Sequence, residues 1–379
     1  RLSTILLLAA LGAGCGPKPE SAGGEADRAA GAKAHLDAGA GMLKAGDPRA
    51  ALKEFAVAVE LAPDSADAHF LLGLAAFETD DHRTARTEFE AALERDAKHA
   101  GALEHLGRVE YAENRLPQAI ARWEATLAVE PDRPGVKALL EKARKELEVE
   151  SKFREEFTQH FRLKFEGGAP AEEGVARRVG EVLESAYSDV GYALGHYPER
   201  VIPVILYADK EFYAVTGSHG WVGGLFDGKI RIPVKDIFKA DPSALDRVIR
   251  HEYTHACVYT LAPRCPTWLQ EGLAQHFEGA RPDLGRVNAA ARAGSLPAFA
   301  ALATEFTAMK DPEKVRLVYA QSAAFVDWLV ARRGAPDVAS LLRELGTGES
   351  IEAAAERVYG TNLSGLEAEW RGTLAQGPG

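Results

Sequence analysis

A period of 34 residues runs through the first part of this 379-residue chain and constrains its fold more than any other feature. A fixed period of this length is typical of stacked helical units, each of which packs on its neighbours. Small residues let paired helices approach, an aromatic side chain fills the space between repeats, and proline breaks the helix before the next unit. The repeated positions are Gly39, Gly73 and Gly107; Ala51, Ala85 and Ala119; Phe55, Phe89 and Trp123; and, two periods apart, Pro63 and Pro131.

These residues and their spacing resemble the tetratricopeptide repeat, a helix-turn-helix unit of the same length. The resemblance implies three repeats over 32–133 and a capping helix at Val136–Glu150, so that residues 32–150 form an all-α solenoid. Such a solenoid is either a structural spacer or a concave groove for a peptide or a partner protein. The sequence leaves both roles open and identifies no groove residue.

The pentapeptide His-Glu-Tyr-Thr-His at 251–255 carries the strongest chemical signal. Pro242 suits the first position of a helix, and neither glycine nor proline follows before Leu261. Two histidines four residues apart on a helix share a face and can bind one ion. That face is otherwise apolar, where unpaired ionisable groups are costly. The motif therefore predicts a zinc site, with Glu252 placed to act on a bound water.

A second motif, Pro-Thr-Trp-Leu-Gln-Glu-Gly-Leu-Ala, follows at 266–274. A catalytic zinc needs a third protein ligand and an open position, and Glu271 can supply the ligand. Together the two motifs resemble the gluzincin metallopeptidases, in particular bacterial peptidase-MA-like domains. In that family the glutamate of the second motif is the third ligand, which implies Glu271 here. Glu278 is an alternative ligand without that sequence context, and His276 is predicted to be a surface or packing residue.

The resemblance implies zinc-assisted peptide hydrolysis. His251, His255 and Glu271 would hold Zn²⁺, and Glu252 would accept a proton from water and pass it to the leaving amine. In gluzincins a tyrosine or histidine from a later helix donates to the developing oxyanion. Tyr319 is the candidate for that role, and the alternative is a tyrosine buried in the core.

Hydrophobic patterning and the resemblance together predict an α+β zincin-like domain over 152–376, with a mixed sheet and a helical C-terminal part. The predicted elements are a strand at 157–165, a helix at 170–194, a strand at 201–207, a short helix at 209–215, a hairpin of 221–226 and 229–232 around Asp227-Gly228, and helices at 298–306, 318–332, 336–344 and 363–374.

The hairpin is the candidate substrate strand. In gluzincins a sheet edge beside the zinc binds the substrate backbone as an added strand, and the candidate edge here is Lys229, Ile230, Arg231 and Ile232. The alternative is an ordinary hairpin. Aminopeptidases of this group capture the free amine with Gly-x-Met-x-Glu-Asn, whereas residues 223–227 read Gly-Gly-Leu-Phe-Asp. The missing glutamate favours an endopeptidase acting on a peptide or protein.

The first residues read as a targeting segment. Leu2–Ala13 is short and apolar and predicts a secretory signal. Residues 11–15, Leu-Gly-Ala-Gly-Cys, resemble a bacterial lipobox, although Gly12 stands where leucine is preferred. The resemblance implies a signal segment at 1–15, acylation of Cys15, and a lipid anchor in the outer membrane facing the periplasm. Residues 16–31 predict a flexible tether. The alternative is a plain cleaved signal.

Charge and cysteines limit the remaining choices. The net charge is −11, which argues against a nucleic-acid binder because such proteins present a basic face. In an oxidising envelope Cys257 and Cys265 are predicted either to form a disulfide or to be two buried thiols. The predicted function is a zinc endopeptidase anchored in the cell envelope. The rival is a lipoprotein scaffold for envelope assembly that acts through its repeats and carries an inert peptidase-like domain.

Overall fold

A computed structural model of the chain describes residues 22–167, 170–217, 224–234, 242–305, 309 and 311–375. A helical solenoid comes first, followed by a domain with a mixed sheet and a helical C-terminal part, which confirms the predicted fold class. The predicted signal segment, with Cys15, lies outside the described residues. No helix in the described ranges combines the length and the apolar character needed to cross a membrane.

Helices in antiparallel pairs build the solenoid, and the last helix caps it. The pairs α1/α2, α3/α4 and α5/α6 are the three repeats, and α7 has the bounds predicted for the cap. The helices are α1 Ala22–Ala45, α2 Pro48–Leu61, α3 Ala66–Glu78, α4 His82–Arg95, α5 Ala100–Ala112, α6 Leu116–Val129 and α7 Val136–Glu150.

The first helix begins earlier than the sequence predicted. Helix α1 starts at Ala22, so the predicted tether at 16–31 is helical from that residue onwards. Alanine, which has the highest helix propensity, is frequent there. Tertiary packing adds to that propensity, because Gly31 lies against Leu61 of α2, where an added Cβ would be 3.2 Å from Cδ1. The rest of the tether precedes the described residues.

The 34-residue period has a steric cause. In each repeat an aromatic ring of the second helix lies directly on the glycine backbone of the first. The rings are fully buried. A Cβ added at the glycine would lie 2.5 Å from Phe55 at Gly39, 2.8 Å from Phe89 at Gly73 and 2.6 Å from Trp123 at Gly107. Real Cβ atoms do not approach that closely, so glycine is required at each position.

The described strands form one sheet in the order β1-β2-β3-β5-β4. Strands β2, β3 and β5 are parallel, whereas β1 and β4 are antiparallel to their neighbours. The single strand predicted over 157–165 is two strands, because the Thr158 side chain accepts from the Phe161 amide and closes a turn. The strands are β1 Arg154–Phe157, β2 Phe161–Phe165, β3 Ile202–Tyr207, β4 Leu225–Phe226 and β5 Ile230–Pro233.

The predicted hairpin forms, but its second strand is not an edge. Gly228 provides the left-handed turn residue, with φ +94°. Strand β5 lies between β3 and β4, so the prediction that residues 229–232 form the open substrate edge is wrong. Lys229 and Arg231 are fully buried against the solenoid, while Ile230 and Ile232 face the core. The edge is β4. Residues 221–223 lie outside the described ranges.

Helices cover both faces of the sheet. Helices α8 and α10 pack on one face through the main core, and α7 and α9 pack on the other. The sequence analysis did not predict the helices at Leu284–Arg292 (α12) and Ile351–Tyr359 (α16). The helices of this domain are α8 Pro170–Leu194, α9 Asp209–Thr216, α10 Pro242–Leu261, α11 Thr267–Glu278, α12 Leu284–Arg292, α13 Phe299–Glu305, α14 Pro312–Arg333, α15 Ala335–Gly346, α16 Ile351–Tyr359 and α17 Leu363–Ala375.

Candidate metal centre

Helix α10 places the two motif histidines side by side. His251 Nε2 and His255 Nε2 lie 3.1 Å apart. Their side chains are 19% and 14% exposed, so both rings sit in a partly enclosed cleft. Two ring nitrogens facing each other at this distance need a shared proton or a cation between them.

Helix α11 brings Glu271 to the same point. Glu271 Oε2 lies 3.5 Å from His251 Nε2 and 3.8 Å from His255 Nε2. The three donor atoms lie within 4.8 Å of one another, so the structure brings the predicted ligands together. Adjacent corners of a tetrahedron with zinc–nitrogen bonds of about 2.0–2.1 Å are about 3.4 Å apart. The separations fit one zinc ion.

The Glu271 carboxylate has an unused oxygen. Its Oε2 is buried and accepts no hydrogen bond from any residue that the structure describes. A buried charged oxygen without a partner is costly. A cation at the meeting point of the three side chains would satisfy it. The residues present therefore fit a metal ion.

Glu278 has a different role from the one the sequence suggested. Its Oε2 lies 2.9 Å from His251 Nδ1, on the ring nitrogen that points away from Glu271. Glu278 is therefore not the third member of the donor cluster. A carboxylate on one ring nitrogen fixes the tautomer and the orientation of the other, which makes Glu278 the orienting partner of His251. Sequence alone offered only its position two turns after Glu271 on the same helix.

The charges of the cluster separate the two histidines. Burial lowers the pKa of His251, but the neighbouring carboxylates of Glu271 and Glu278 outweigh burial and raise it. Burial also lowers the pKa of His255, and the nearby carboxylate of Glu271 does not compensate, so that pKa falls to about 4. Burial raises the pKa of the Glu271 carboxyl, but the neighbouring histidines outweigh burial, and the net effect lowers that pKa. His255 is therefore neutral and Glu271 ionised, the states that bind metal, whereas His251 has to release its proton when a metal binds.

Glu252 sits beside the cluster in the state a general base needs. The residue is 5% exposed. Burial raises its pKa to about 7, although the neighbouring His251 acts in the opposite direction. A carboxyl with a pKa near neutrality can both accept and return a proton. Gly224 lies against it so closely that an added Cβ would be 2.6 Å from Glu252 Oε1.

A close helix contact explains the glycine after Glu271. At Gly272 an added Cβ would lie 2.6 Å from both Ser322 O and Val326 Cγ2, so α11 and α14 touch backbone to backbone there. That contact brings Tyr319 of α14 beside Glu271. Burial, the Glu271 charge and a hydrogen bond to it raise the pKa of Tyr319, which keeps the phenol protonated. Tyr319 therefore faces the cluster rather than the core.

A cleft of about 490 Å³ opens onto these residues. The β4 edge strand forms one wall through Leu225 and Phe226, and Tyr319 lies on another. His251, Glu252, His255 and Glu271 also line the cleft. The cleft therefore places an edge strand of the described sheet next to the donor cluster.

The other candidate residues have structural roles. Cys257 and Cys265 are free and buried, so of the two predictions the one with two thiols is correct. Burial raises the pKa of both thiols. His276 is paired with Asp327, with 2.6 Å between Nδ1 and Oδ1, and turns away from the donor cluster.

The fold and the site define a helical-repeat solenoid joined to a domain with a candidate His-Glu-x-x-His…Glu metal centre. Residues 197–376 match the family model of the Peptidase MA superfamily. Residues 36–99 and 76–143 match two models of the tetratricopeptide repeat. The chain therefore carries tetratricopeptide repeats followed by a Peptidase MA superfamily domain.

Solved structures of repeat domains are also similar to part of the chain. The Arabidopsis OM64 TPR domain has 19% identity and a TM-score of 0.31, covering 31% of this chain and 98% of that one. The first TPR of Spaghetti (RPAP3) bound to an HSP90 peptide has 18% identity and a TM-score of 0.31, covering 32% and 95%. The MamA protein has 26% identity and a TM-score of 0.27, covering 34% and 77%. No curated protein matches the chain.

Proposed function

We propose that the chain is a zinc-dependent metallopeptidase that cuts internal peptide bonds. The observation that carries the proposal is the convergence of His251, His255 and Glu271 around the unsatisfied Glu271 Oε2, next to the buried carboxyl of Glu252. A structural metal site has no need for a base with a pKa near 7 beside it. The Peptidase MA superfamily match supports the same class of chemistry.

The side chains divide the work. A Zn²⁺ ion held by His251, His255 and Glu271 would supply Lewis acidity and lower the pKa of a nearby water. Glu252 accepts the proton of the attacking water and returns it to the leaving nitrogen. The Tyr319 hydroxyl donates a hydrogen bond to the oxygen that becomes negative as the carbonyl carbon turns tetrahedral. Glu278 holds the His251 ring in the ligating orientation.

The hairpin favours an endopeptidase. An exopeptidase that removes amino-terminal residues needs a free acid to hold the substrate amine. Asp227 is the acidic residue of the hairpin, and its oxygens are held by Arg231 Nε at 3.1 Å and Lys142 Nζ at 2.7 Å. Strand β4, the edge of the sheet among the described residues, instead offers backbone groups along the cleft, which suits an extended chain that passes through.

We make two further proposals, one for Cys15, which lies outside the described residues, and one for the repeats. We propose, from the lipobox-like sequence, that Cys15 carries a lipid anchor and that the protein sits in the bacterial outer membrane facing the periplasm. Labelled fatty acid should be incorporated by the wild type and lost with Cys15→Ser. Labelling of both alike would contradict the anchor.

We also propose that the repeats recruit a protein substrate or partner, since such repeats commonly bind peptides.

The test begins with metal content. We expect about one zinc per chain in the purified protein started after Cys15, and loss of that zinc in Glu271→Ala. Glu252→Gln should keep the metal and lose cleavage of unfolded protein substrates. His276→Ala is the matched control, because this histidine lies on α11, as Glu271 does, but is paired with Asp327. It should keep both zinc and cleavage.

The scaffold alternative predicts a different pattern. If the domain is inert, wild type and Glu252→Gln would behave alike in every assay, including rescue of a deletion strain. Absence of zinc from the wild type, even after addition of zinc, would overturn the catalytic proposal.

A further inference from the structure

Each of the three repeats contacts the peptidase domain through the turn that follows its first helix. Gly46, Asp80 and Asn114 are 34 residues apart, and each ends the first helix of its repeat in a left-handed conformation, with φ of +86°, +61° and +54°. Gly46 O accepts from Arg264 Nη1 at 3.1 Å, and Asp80 Oδ2 accepts from Arg200 Nε at 3.0 Å. The solenoid therefore lies with its turn edge along the other domain.

The third turn reaches the hairpin of the cleft. Asn114 Oδ1 accepts from Lys229 Nζ at 2.7 Å, and its Nδ2 donates to Glu150 Oε2 at 2.8 Å. Lys229 Nζ also lies 3.7 Å above the Tyr111 ring. Lys229 begins the return arm of the hairpin, one residue before β5. The last repeat thus holds the arm that pairs with the edge strand.

Helix α7 completes this contact with two carboxylates one turn apart. Glu146 Oε2 lies 3.0 Å from Lys229 Nζ, and Glu146 Oε1 lies 3.0 Å from Arg231 Nη2. Glu150 Oε1 lies 3.6 Å from Arg231 Nη1. All four side chains are fully buried. A charge removed from water is tolerated only when it is paired in this way, so β5 is fixed in register against α7.

The hairpin turn is held by the same helix. Asp227 accepts from Arg231 Nε at 3.1 Å and from Lys142 Nζ of α7 at 2.7 Å. We call Lys142, Glu146, Glu150, Asp227, Lys229 and Arg231 the interdomain charge cluster. Burial opposes the charge of Asp227, but Arg231 and Lys142 outweigh it and hold the pKa at about 2. The turn is therefore charged and anchored across the neutral range.

The hairpin leads directly to the chemistry. Leu225 pairs with Arg231 and Phe226 with Ile230 in the antiparallel register of β4 and β5. Gly224 comes immediately before them and touches Glu252. A shift of β5 relative to α7 therefore moves the edge strand relative to the base.

We propose that the last repeat and its capping helix are the positioning element of the substrate edge, with Lys142, Glu146, Lys229 and Arg231 as positioning residues. This inference rests on the proposed peptidase function. The repeats would act within the chain by fixing the strand on which a substrate lies. Removal of this hold loosens the edge but leaves the metal ligands in place, because α10 and α11 do not contribute to the charge cluster.

The test uses the full chain and the exposed end of the cluster. Lys142→Met keeps the stem of the side chain and removes its ion pair with Asp227. Lys145→Met, on an exposed lysine of the same helix, is the matched control. We expect amide hydrogen exchange of residues 224–233 to rise by about fivefold in Lys142→Met, since a partly exposed ion pair is weak. Lys142→Arg should restore it.

A second variant reaches the buried part. Glu146→Gln should raise exchange in the hairpin by on the order of 100-fold, because it leaves buried cations short of one charge. In both variants zinc content should stay at the wild-type value, and the KM for a peptide substrate should rise with little change in kcat. Hairpin exchange equal to that of Lys145→Met would overturn the inference. Loss of zinc or of all cleavage in the wild type would instead contradict the peptidase function, whatever the exchange shows.

Discussion

Two buried groups of ionisable side chains differ in how well they are paired. In the interdomain charge cluster the cations Lys229 and Arg231 lie against the carboxylates of Glu146, Glu150 and Asp227. Burial lowers the pKa of Lys229 to about 8, which still leaves it charged at neutral pH. Lys142, which pairs with Asp227, adds a third cation for the three carboxylates, so this cluster is neutralised from within.

The candidate metal centre lacks that balance. Glu252 and Glu271 share one cleft with two imidazoles whose ring nitrogens face each other, and Glu271 Oε2 has no hydrogen-bond partner among the described residues. This difference separates a cluster that joins two elements from one that is suited to bind a ligand. A cluster that neutralises itself holds two elements together. One that is short of a cation is a site for a ligand, since burial without a partner is stabilised only when the ligand arrives.

The largest effect should come from removal of one partner of the paired cluster. Glu146→Leu would leave Lys229 and Arg231 buried beside fewer carboxylates, and the free energy of unfolding should fall by about 3–5 kcal/mol. In the metal-free protein, Glu271→Leu should lose far less, because it removes a carboxylate whose oxygen is unsatisfied. Urea unfolding in the presence of a chelator measures both.

The control for this pair is Glu148→Leu, on an exposed residue of α7. It should change stability by about 0.5 kcal/mol or less. Equal losses in Glu146→Leu and Glu271→Leu would erase the distinction between the two clusters.

The second effect is stabilisation by metal. At free zinc 100 times the Kd, the wild type should gain about 2.7 kcal/mol, because zinc binds the folded site. Glu271→Ala should gain almost nothing, whereas Glu146→Gln should gain as much as the wild type. Thermal unfolding with and without zinc gives the shifts. Equal gains in wild type and Glu271→Ala would place the metal elsewhere.

The third effect is a loss of folding stability at acid pH, an acid limb of the stability curve that comes from the interdomain charge cluster. Asp227 has a pKa of about 2 in the folded protein against 3.8 for the ordinary group. Its contribution is therefore complete above about pH 4 and is lost as pH falls through 2. A shift of this size corresponds to roughly 2 kcal/mol.

Asp227→Asn should flatten this limb in unfolding measured from pH 5 to pH 2, with Asp132→Asn, on a surface aspartate, as the control. An unchanged acid limb would show that Asp227 is not held by Arg231 and Lys142.

The smallest effect should come from the orienting carboxylate of the metal centre. Glu278→Gln keeps an acceptor for His251 Nδ1 but removes its charge, and zinc affinity should fall by about tenfold. A competition titration with a chromophoric chelator measures the change. A loss as large as that of Glu271→Ala would mean that Glu278 is itself a ligand.

Much of the fold and half of the candidate site follow from local sequence. The repeat period specifies which residues pair within each unit, because Gly39 and Phe55 lie in two consecutive helices joined by a short turn. Helix α10 places His251 and His255 on one face through its own geometry. Glu271 needed a resemblance as well as a pattern, since it lies on another helix.

The tertiary structure alone decided the strand order and the role of the hairpin. Alternation in 229–232 shows that two residues face each way, but not what covers each face. Lys229 and Arg231 are buried because Glu146 and Glu150, which pair with them, come from a different domain, more than 75 residues earlier in the chain. Glu278 became the orienting residue of His251 through the crossing of α10 and α11.

Local sequence therefore predicts the repeats, the bounds of the capping helix and the histidine pair. These depend on spacings within one helix or between consecutive helices, which the chain carries locally. The contacts between distant segments settled which strand is the edge of the described sheet, which carboxylate orients His251, and that the solenoid docks on the Peptidase MA superfamily domain. Those outcomes depend on contacts between distant segments, and residue patterns do not encode which distant partner will cover a given face.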